Sequence, residues 1–267
     1  MSSYLALFRI RFSAGLQYRA AAIGGIATQF AWGFMLILQF YAFYRSDPAP
    51  FPMELSQVAS YIWIQQAFLA LFMSWFFDNE IFNAITSGSI AYEMARPVDL
   101  YNRWFCYSAA NRLSRATLRC MPILVVAFFL PEPFRMSLPY SFEQFVLFLV
   151  SAVLSLGVVV AFSMLVYVSV FYTLSPLGVR MIAAVGADFL AGAIIPLPFF
   201  PDGVRQIAEL LPFAAMQNMP LRIYSGNIAG TDAFYGLLLQ LFWLSVLIPV
   251  GRLAMKRALN RVVVQGG

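Results

Sequence analysis

The residue types that carry most catalytic chemistry are nearly absent from this 267-residue sequence. It contains no histidine, two cysteines and a single lysine, Lys256. Without imidazole there is no Ser/His dyad, no imidazole general base and no His-ligated metal. No Gly-x-x-x-x-Gly-Lys-Ser/Thr motif occurs, so the chain cannot hold ATP phosphates in a P-loop. We therefore expect no catalytic residue, no metal site and no cofactor in this chain.

The most patterned polar segment spans residues 78–103. Asp78 or Asn79 can cap a short helix, and Ser87 with Gly88 supplies its stop. The apolar stripe of this helix consists of Ile81, Phe82 and Ile85. About ten residues cannot cross a bilayer, so the apolar side must dock on another surface, while Glu80 lies on a different face and is placed to contact a partner. The alternative is a helix that merely lies on the bilayer.

A bend follows this helix at Arg96 and Pro97. Proline disfavours helical geometry in the residue before it, so Arg96 leaves the helical conformation. The bend is either a rigid lever between the docking helix and the next span or an ordinary turn.

Asp188 is the one acid near the middle of a long apolar run. An ionised carboxylate there costs several kcal/mol unless it is paired or hydrated, which marks a functional or interface position. Arg119 lies about 18 Å along a helix from the end of its own apolar run, so it can reach toward the same depth. We predict an Arg119–Asp188 pair. In the alternative, the arginine snorkels to the headgroups and Asp188 hydrogen-bonds a neighbouring helix.

Small residues form a stripe on the same run as Asp188. Ala183, Ala187 and Ala191 recur every four residues and share one helical face. Such stripes let membrane helices approach closely. We predict that two subunits meet along this stripe, next to Gly24, Gly25 and Ala31 of the first span. Packing within one subunit is an equal alternative.

Glycine and prolines interrupt the chain after this stripe. The residues concerned are Gly192, Pro196, Pro198, Pro201, Pro212 and Pro220. Prolines so close together break a helix, yet the residues that follow remain amphipathic. Helical pieces that dip into the outer membrane face and return fit this pattern if their freed backbone groups find partners. We predict an external gate at 200–231, with a membrane-surface loop as the alternative.

Long apolar runs must position all of these segments. The sequence is 61% hydrophobic and 11% charged, with a mean hydropathy of +0.77, whereas soluble domains are about 45–50% apolar and about 25% charged. Hydropathy predicts an all-α membrane protein of one domain, 1–267, with an interfacial amphipathic helix at 1–19 in preference to a secretory signal. The predicted spans are 20–44, 58–77, 111–130, 145–171, 179–199 and 233–253.

The placement of charge supports an orientation for these six spans. If both termini are cytoplasmic, 13 of the 17 basic residues lie on the inner side, and most acids outside the spans lie on the outer side. The sequence pI of 9.4 is then explained by orientation and anionic lipid, with no nucleic-acid partner. We predict a multi-pass protein of a bacterial plasma membrane.

Two stretches carry a resemblance to a known family. The run from Gly88 to Pro97 and the run from Gly192 through Pro196, Pro212 and Pro220 to Gly226 resemble the permease subunits of type-2 ABC exporters. The likeness covers essentially the whole chain in the order of its elements. It implies two cytoplasmic ATPase subunits, which hold ATP and Mg²⁺, and a second permease copy, identical or not. It also implies that Asp78–Gly88 is the coupling helix seated on the ATPase.

The expected function is therefore that of an ATP-driven export permease. A high aromatic content, 17%, suits a hydrophobic or amphipathic cargo better than an ion. A gradient-driven secondary transporter is the main alternative, but it would need more intramembrane acids or matched interrupted spans. An intramembrane enzyme is the third class, and the lack of histidine disfavours it.

Overall fold

The computed structural model describes residues 3–47, 51–173 and 175–261. Residues 1–2 of the predicted interfacial helix lie outside these ranges. The described residues form helices and connecting turns without a strand, which confirms the all-α prediction. The helices are α1 (Ser3–Gly15), α2 (Arg19–Ser46), α3 (Leu55–Ala67), α4 (Leu69–Phe72), α5 (Asn79–Thr86), α6 (Ile90–Met94), α7 (Leu100–Phe129), α8 (Phe142–Thr173), α9 (Pro176–Leu190), α10 (Asp202–Leu210), α11 (Pro212–Met216), α12 (Asn218–Tyr224) and α13 (Gly230–Leu259), with a 3₁₀ turn at Leu197–Phe199.

Three helices of the described chain are long and apolar enough to cross a membrane. They are Ala22–Ser46, Phe142–Thr173 and Gly230–Leu259. Each contains or closely matches one predicted span, because a long uncharged apolar run leaves the backbone no better way to satisfy its hydrogen bonds in lipid than a helix. The two longest, α8 and α13, pack along each other and form the centre of the bundle.

The predicted span 58–77 is not one helix in the structure. Its helical part breaks at Phe68, between α3 and α4, and ends at Phe72. The chain is then irregular up to Asp78, the residue that caps α5. The carbonyls freed there are bound by a side chain from α7, described below, so helical hydrogen bonds are not required.

The predicted span 179–199 also differs from the structure, since α9 ends at Leu190. Gly192 has φ of +75°, a left-handed conformation that glycine adopts without strain. The N–H of Ala193 donates to the carbonyl of Asp188 at 3.0 Å, which closes the Schellman motif that ends many helices. The 15 residues of α9 reach only about 22 Å, so the chain turns before a full bilayer thickness.

The segment after this turn folds back into the bundle. The helices α11 and α12 are largely buried and pack against α8 and α13. The freed carbonyl of Ala215 accepts hydrogen bonds from Ser155 Oγ and Gln240 Nε2, both at 3.0 Å. Gln144 Nε2 donates to the carbonyls of Ile223 and Ile228. Polar side chains of α8 and α13 therefore replace the backbone partners that the broken helices lack.

Candidate functional site

The short helix α5 coincides with the predicted docking helix, and Asp78 holds it in place. Asp78 Oδ1 accepts from the backbone N–H of Glu80 at 3.0 Å, an N-cap contact. Its Oδ2 accepts from Asn111 Nδ2 of α7 at 2.6 Å, and its own backbone N–H donates to Tyr167 Oη of α8 at 2.7 Å. Burial raises the pKa of the Asp78 carboxyl above its usual range, against the lowering effect of these hydrogen bonds. One residue thus ties α5 to two long helices.

The apolar stripe of α5 docks on the chain itself. Ile81, Phe82 and Ile85 are buried in a cluster with residues of α7, α8 and α13. The Phe82 ring lies 4.9 Å from the Tyr167 ring, centroid to centroid. Because this face is already covered by the chain itself, Ile81, Phe82 and Ile85 have packing roles here in place of the predicted contact with another subunit, and only the polar face of α5 stays exposed.

The exposed face of α5 continues onto the segment around α6, and we call this the α5–α6 surface. Its exposed residues are Asn79, Glu80, Asn83, Thr86, Ser87, Gly88, Tyr92, Arg96 and Pro97. Gly88 has φ of +74°, so it turns the chain from α5 into α6 without strain. The Tyr92 side chain is 80% exposed. The sequence placed Arg96 and Pro97 at a bend, and both lie in the turns between α6 and α7.

The Glu93 carboxylate connects the helix α6 to α7. Glu93 accepts from Arg103 Nη2 at 3.1 Å and from Trp104 Nε1 at 2.7 Å. Arg103 and Trp104 are both buried, so these contacts are shielded from solvent on one side. The α6 turn therefore moves with the start of α7, and its attachment does not depend on the bend at Pro97.

The amino-terminal helix α1 lies along α7 and reaches α5. Its apolar residues at every fourth position are half-buried: Tyr4, Phe8, Phe12 and Leu16. Arg11 makes two hydrogen bonds to the Glu80 carboxylate, one of them at 3.1 Å, and its guanidinium lies 4.4 Å from the centre of the Tyr107 ring. The bond from Arg11 lowers the pKa of Glu80, and the same bond raises that of Arg11. Much of the Glu80 side chain, 66%, remains exposed, so solvent screens this ion pair.

A buried arginine supports the irregular segment between α4 and α5. Arg112 is fully buried, and its guanidinium donates to the carbonyls of Met73 at 2.7 Å and Phe76 at 2.5 Å. It also donates to Ala70 O at 3.4 Å and Ser163 Oγ at 3.2 Å. These bonds satisfy carbonyls that no helix satisfies, which holds the chain leading into α5 against α7 and α8.

Two further arginines of α7, Arg115 and Arg119, face a cavity. It has a volume of about 380 Å³ and lies between α1, the start of α2, α7 and the α5 cap. Arg115 and Arg119 line it, together with Arg11, Asp78 and Glu80.

The predicted Arg119–Asp188 pair is not formed. Asp188 Oδ1 accepts instead from Ser74 Oγ at 2.5 Å. The Arg119 guanidinium lies against Gly25 of α2, where an added Cβ would come within 2.5 Å of its Cζ. Depth along the helices was compatible with a pair, but the two side chains point to different neighbours. The alternative expected Asp188 to bond a neighbouring helix, whereas Ser74 lies in the irregular segment between α4 and α5.

The predicted dimer seam packs inside the subunit. Ala187 and Ala191 are buried, and Ala183 is half-buried against the cluster that contains α5. The outward face of α9 carries large apolar residues instead. These are Leu177, Met181, Ile182 and Val185, each at least 60% exposed. The small-residue stripe lets α9 approach its own chain, which was the alternative reading of the sequence.

The predicted gate residues lie in two different environments. Pro196, Pro198 and Pro220 are buried, whereas Pro201 is exposed. Gly192 O accepts from Tyr61 Oη at 3.1 Å, which ties the turn after α9 to α3. Pro212 opens α11 at a position where a missing N–H is harmless.

An ion pair holds α10 over this end of the bundle. Arg222 Nη1 donates to Glu209 at 2.5 Å and Arg222 Nε to Asn227 Oδ1 at 2.6 Å. The side chains of Arg222 and Glu209 are 15% and 30% exposed. The sequence predicts no role for either residue, because the prolines are the visible pattern in this segment.

Several other contacts were also missed. Arg112, Arg115 and Arg119 recur at intervals of three and four residues in the sequence, but this spacing does not show that Arg112 is buried and that the other two line a cavity. Tyr167 gave no signal at all, being one aromatic residue among many in an apolar helix. Glu93 is an acid three residues before Arg96, and the sequence alone does not show that it bonds Arg103 and Trp104. Among the described residues, no group of three carboxylate or thiolate side chains is placed to hold a metal ion.

Comparison with known proteins adds no family. No family model matches the chain, and a search of curated proteins found no match. The class is therefore defined by the fold and the site. Over the described residues the fold is all-helical and includes three membrane-length helices, and the short helix α5 is fixed against the bundle with its polar face outward.

Proposed function

We propose that this chain is the permease subunit of an ATP-binding cassette exporter. The observation that carries the proposal is the arrangement of α5. Its apolar face is buried in the bundle and its polar face is open, which is what a helix needs in order to receive a partner without losing its own attachment. The partner is a cytoplasmic ATPase present in two copies, and it supplies the ATP and Mg²⁺ that this chain has no P-loop to bind.

A force applied to α5 would reach several long helices. Asp78 connects α5 to α7 and α8, Arg11 connects it to α1, and Arg180 of α9 donates to Asn79 Oδ1 at 3.0 Å. Packed elements joined in this way move together because close-packed interiors transmit strain. ATP-driven closure of the partner subunits would therefore move the inner ends of these helices as a group.

The proposal includes a six-span topology with both termini in the cytoplasm of a bacterial cell. The pair α3–α4 covers 18 residues, about 27 Å, and α7 is 30 residues long, about 45 Å. The short α9 would cross with the help of the turn and 3₁₀ segment that follow it. The arginines at the α5 end then lie on the inner side, in keeping with the charge bias of membrane proteins.

Two permease copies would form the translocation path. The large apolar face of α9, rather than its alanine stripe, is the surface that remains open for a second copy or for lipid. The aromatic residues of the bundle suit a hydrophobic or amphipathic cargo. The segment α10–α12, held by the Arg222–Glu209 pair, would form the external gate.

Co-purification with an ATPase tests the proposal. The tagged chain is co-expressed with a P-loop ATPase encoded beside it, purified in mild detergent and assayed for ATP hydrolysis. Asn83→Arg changes an exposed residue of the α5–α6 surface and should abolish co-purification while leaving the chain folded. Gln206→Arg makes the same kind of change on the exposed face of α10 and should have no effect. Phe82 is unsuitable as a probe, because it is buried.

Two results would contradict the proposal. A folded chain that purifies without any ATPase would favour a gradient-driven transporter. An ATPase that binds the Asn83→Arg and wild-type chains equally well would show that α5 is not the contact.

A further inference from the structure

Two arginines of α7 lie in the polar cavity without a partner. Arg115 and Arg119 are one turn apart, and neither forms an ion pair with another described residue. The Arg115 guanidinium lies 4.2 Å from the centre of the Phe76 ring, and that of Arg119 rests against Gly25. Like charges at this spacing on a helix repel each other. An anion bound between them would offset this repulsion.

The acids near the cavity do not neutralise these two arginines. Glu80 is taken by Arg11, and Asp78 accepts from Asn111 and from the backbone of α5. The remaining unpaired charge in the cavity is therefore positive. A planar guanidinium offers paired donors that match the oxygens of a phosphate group.

A second cavity borders the same two arginines, and the rest of its lining is apolar. It has a volume of about 170 Å³. Its lining consists of Leu69, Ala70, Met73, Trp75 and Phe76 together with Arg115 and Arg119. The polar cavity and the apolar cavity thus share Arg115 and Arg119. This arrangement suits a ligand with an anionic head and an apolar tail.

We propose that Arg115 and Arg119 bind the phosphate of an anionic phospholipid, with the beginning of an acyl chain in the smaller cavity. Both arginines lie in α7 beside the start of α2, one of the three membrane-length helices, so membrane lipid has access to them. A bound headgroup would bridge α7 to the α1–α2 junction and lie beside the cap of α5. This proposal needs only membrane insertion, so it stands or falls separately from the assignment as an ABC permease.

Lipid binding to the purified chain tests this site. Phosphatidylglycerol is titrated into delipidated, detergent-purified protein and followed by native mass spectrometry, with phosphatidylcholine in parallel. We expect the wild-type chain to prefer phosphatidylglycerol. Arg115→Gln and Arg119→Gln should each weaken its binding about tenfold, the loss expected for one hydrogen bond between charged groups. Arg257→Gln, which removes an exposed arginine at the end of α13, is the matched control and should bind as the wild type does.

A pair of glycine variants tests the same site without changing charge. A Cβ on Gly25 would meet the Arg119 guanidinium, whereas one on Gly24 would meet no atom within 4 Å. Gly25→Leu should displace Arg119 and weaken phosphatidylglycerol binding, and Gly24→Leu should not. Thermal unfolding without lipid reports folding: removing either arginine relieves repulsion, so neither glutamine variant should unfold at a lower temperature than wild type.

Three outcomes would overturn the proposal. One is equal phosphatidylglycerol binding by the wild-type, Arg115→Gln and Arg119→Gln chains. Another is an equal loss in Arg257→Gln, which would indicate general charge attraction. The third is binding of inorganic phosphate as tightly as of phosphatidylglycerol, with the same dependence on Arg119, which would make the site one for a soluble anion.

Discussion

Replacing Arg112 should loosen the segment that leads into α5 more than any other single arginine change. The guanidinium is the donor for the carbonyls of Met73 and Phe76, and it also bonds Ser163 Oγ. Arg112→Met keeps much of the side-chain length and apolar volume but removes every donor. Both carbonyls then lie in the interior of the chain without a partner, in a segment that has no helical hydrogen bonds to fall back on.

The size of the effect follows from those contacts. A buried carbonyl without a donor costs about 2 kcal/mol, so two cost about 4 kcal/mol. The guanidinium Nε–H has no partner in the native chain, and removing this buried donor offsets about 1 kcal/mol. The net loss of about 3 kcal/mol corresponds to a fall of about 6–12 °C in the unfolding temperature.

Thermal unfolding in detergent, followed by circular dichroism, measures this difference. Arg115→Met is the matched control: it is the same substitution one turn further along α7, at an exposed side chain without a hydrogen bond, and it should unfold within about 2 °C of wild type. An Arg112→Met chain that unfolds together with the Arg115→Met chain would refute the assignment of Arg112 as the support of the α4–α5 segment.

Three further predictions follow from single contacts. Because Arg11 lowers the pKa of Glu80, their contact stabilises the chain at pH values above the ordinary glutamate pKa of 4.5, and this stabilisation is lost on acidification below that value. Hydrogen exchange in α1, corrected for its intrinsic pH dependence, should therefore rise below that pH in the wild-type chain. In the Glu80→Gln chain it should not rise. Glu209→Gln should raise hydrogen exchange in α10 several-fold without lowering the unfolding temperature of the bundle, and unchanged exchange would argue against a fastening role. Gly192→Ala should destabilise by about 1 kcal/mol because of its positive φ, whereas Gly178→Ala, in the open interior of α9, should be neutral or stabilising.

The sequence predicted the long helices well because their signal is local. The predicted spans 20–44, 145–171 and 233–253 each lie within a helix that extends a few residues further at both ends. Where no side chain from another helix bonds its backbone, a long uncharged apolar stretch satisfies its N–H and C=O groups in lipid only as a helix. The same reasoning placed α5, whose cap and stripe are both contained in ten residues.

The breaks in the helices could not be predicted from the sequence in the same way. The end of α4 at Phe72 depends on Arg112, which is 40 residues away in the sequence. The chain from Met73 to Phe77 is as apolar as a helix would be, so hydropathy cannot tell the two apart. For α9, the glycine at 192 was visible as part of the proline-rich run, but hydropathy continued the span to 199.

Side-chain pairing was the least predictable level. Asp188 stands out in the sequence as an acid within an apolar run, yet in the structure it is half-buried near the end of α9, and its partner is a serine in the irregular segment after α4. Helical depth restricts which residues can meet, but the direction in which each side chain points decides which do meet. Arg119 and Asp188 have compatible depths and different directions.

These contacts also change how motion could pass through the protein. The sequence suggested a path along the chain, from α5 through the bend at Pro97 into α7. In the structure, Pro97 is exposed, and α5 is joined to α7 and α8 directly by Asp78. The path across the fold is the shorter one, since it passes through two hydrogen bonds of the same residue. Asp78→Ala should therefore disturb the coupling of α5 to the bundle more than Pro97→Ala does, and hydrogen exchange in α5 is the measurement that separates them.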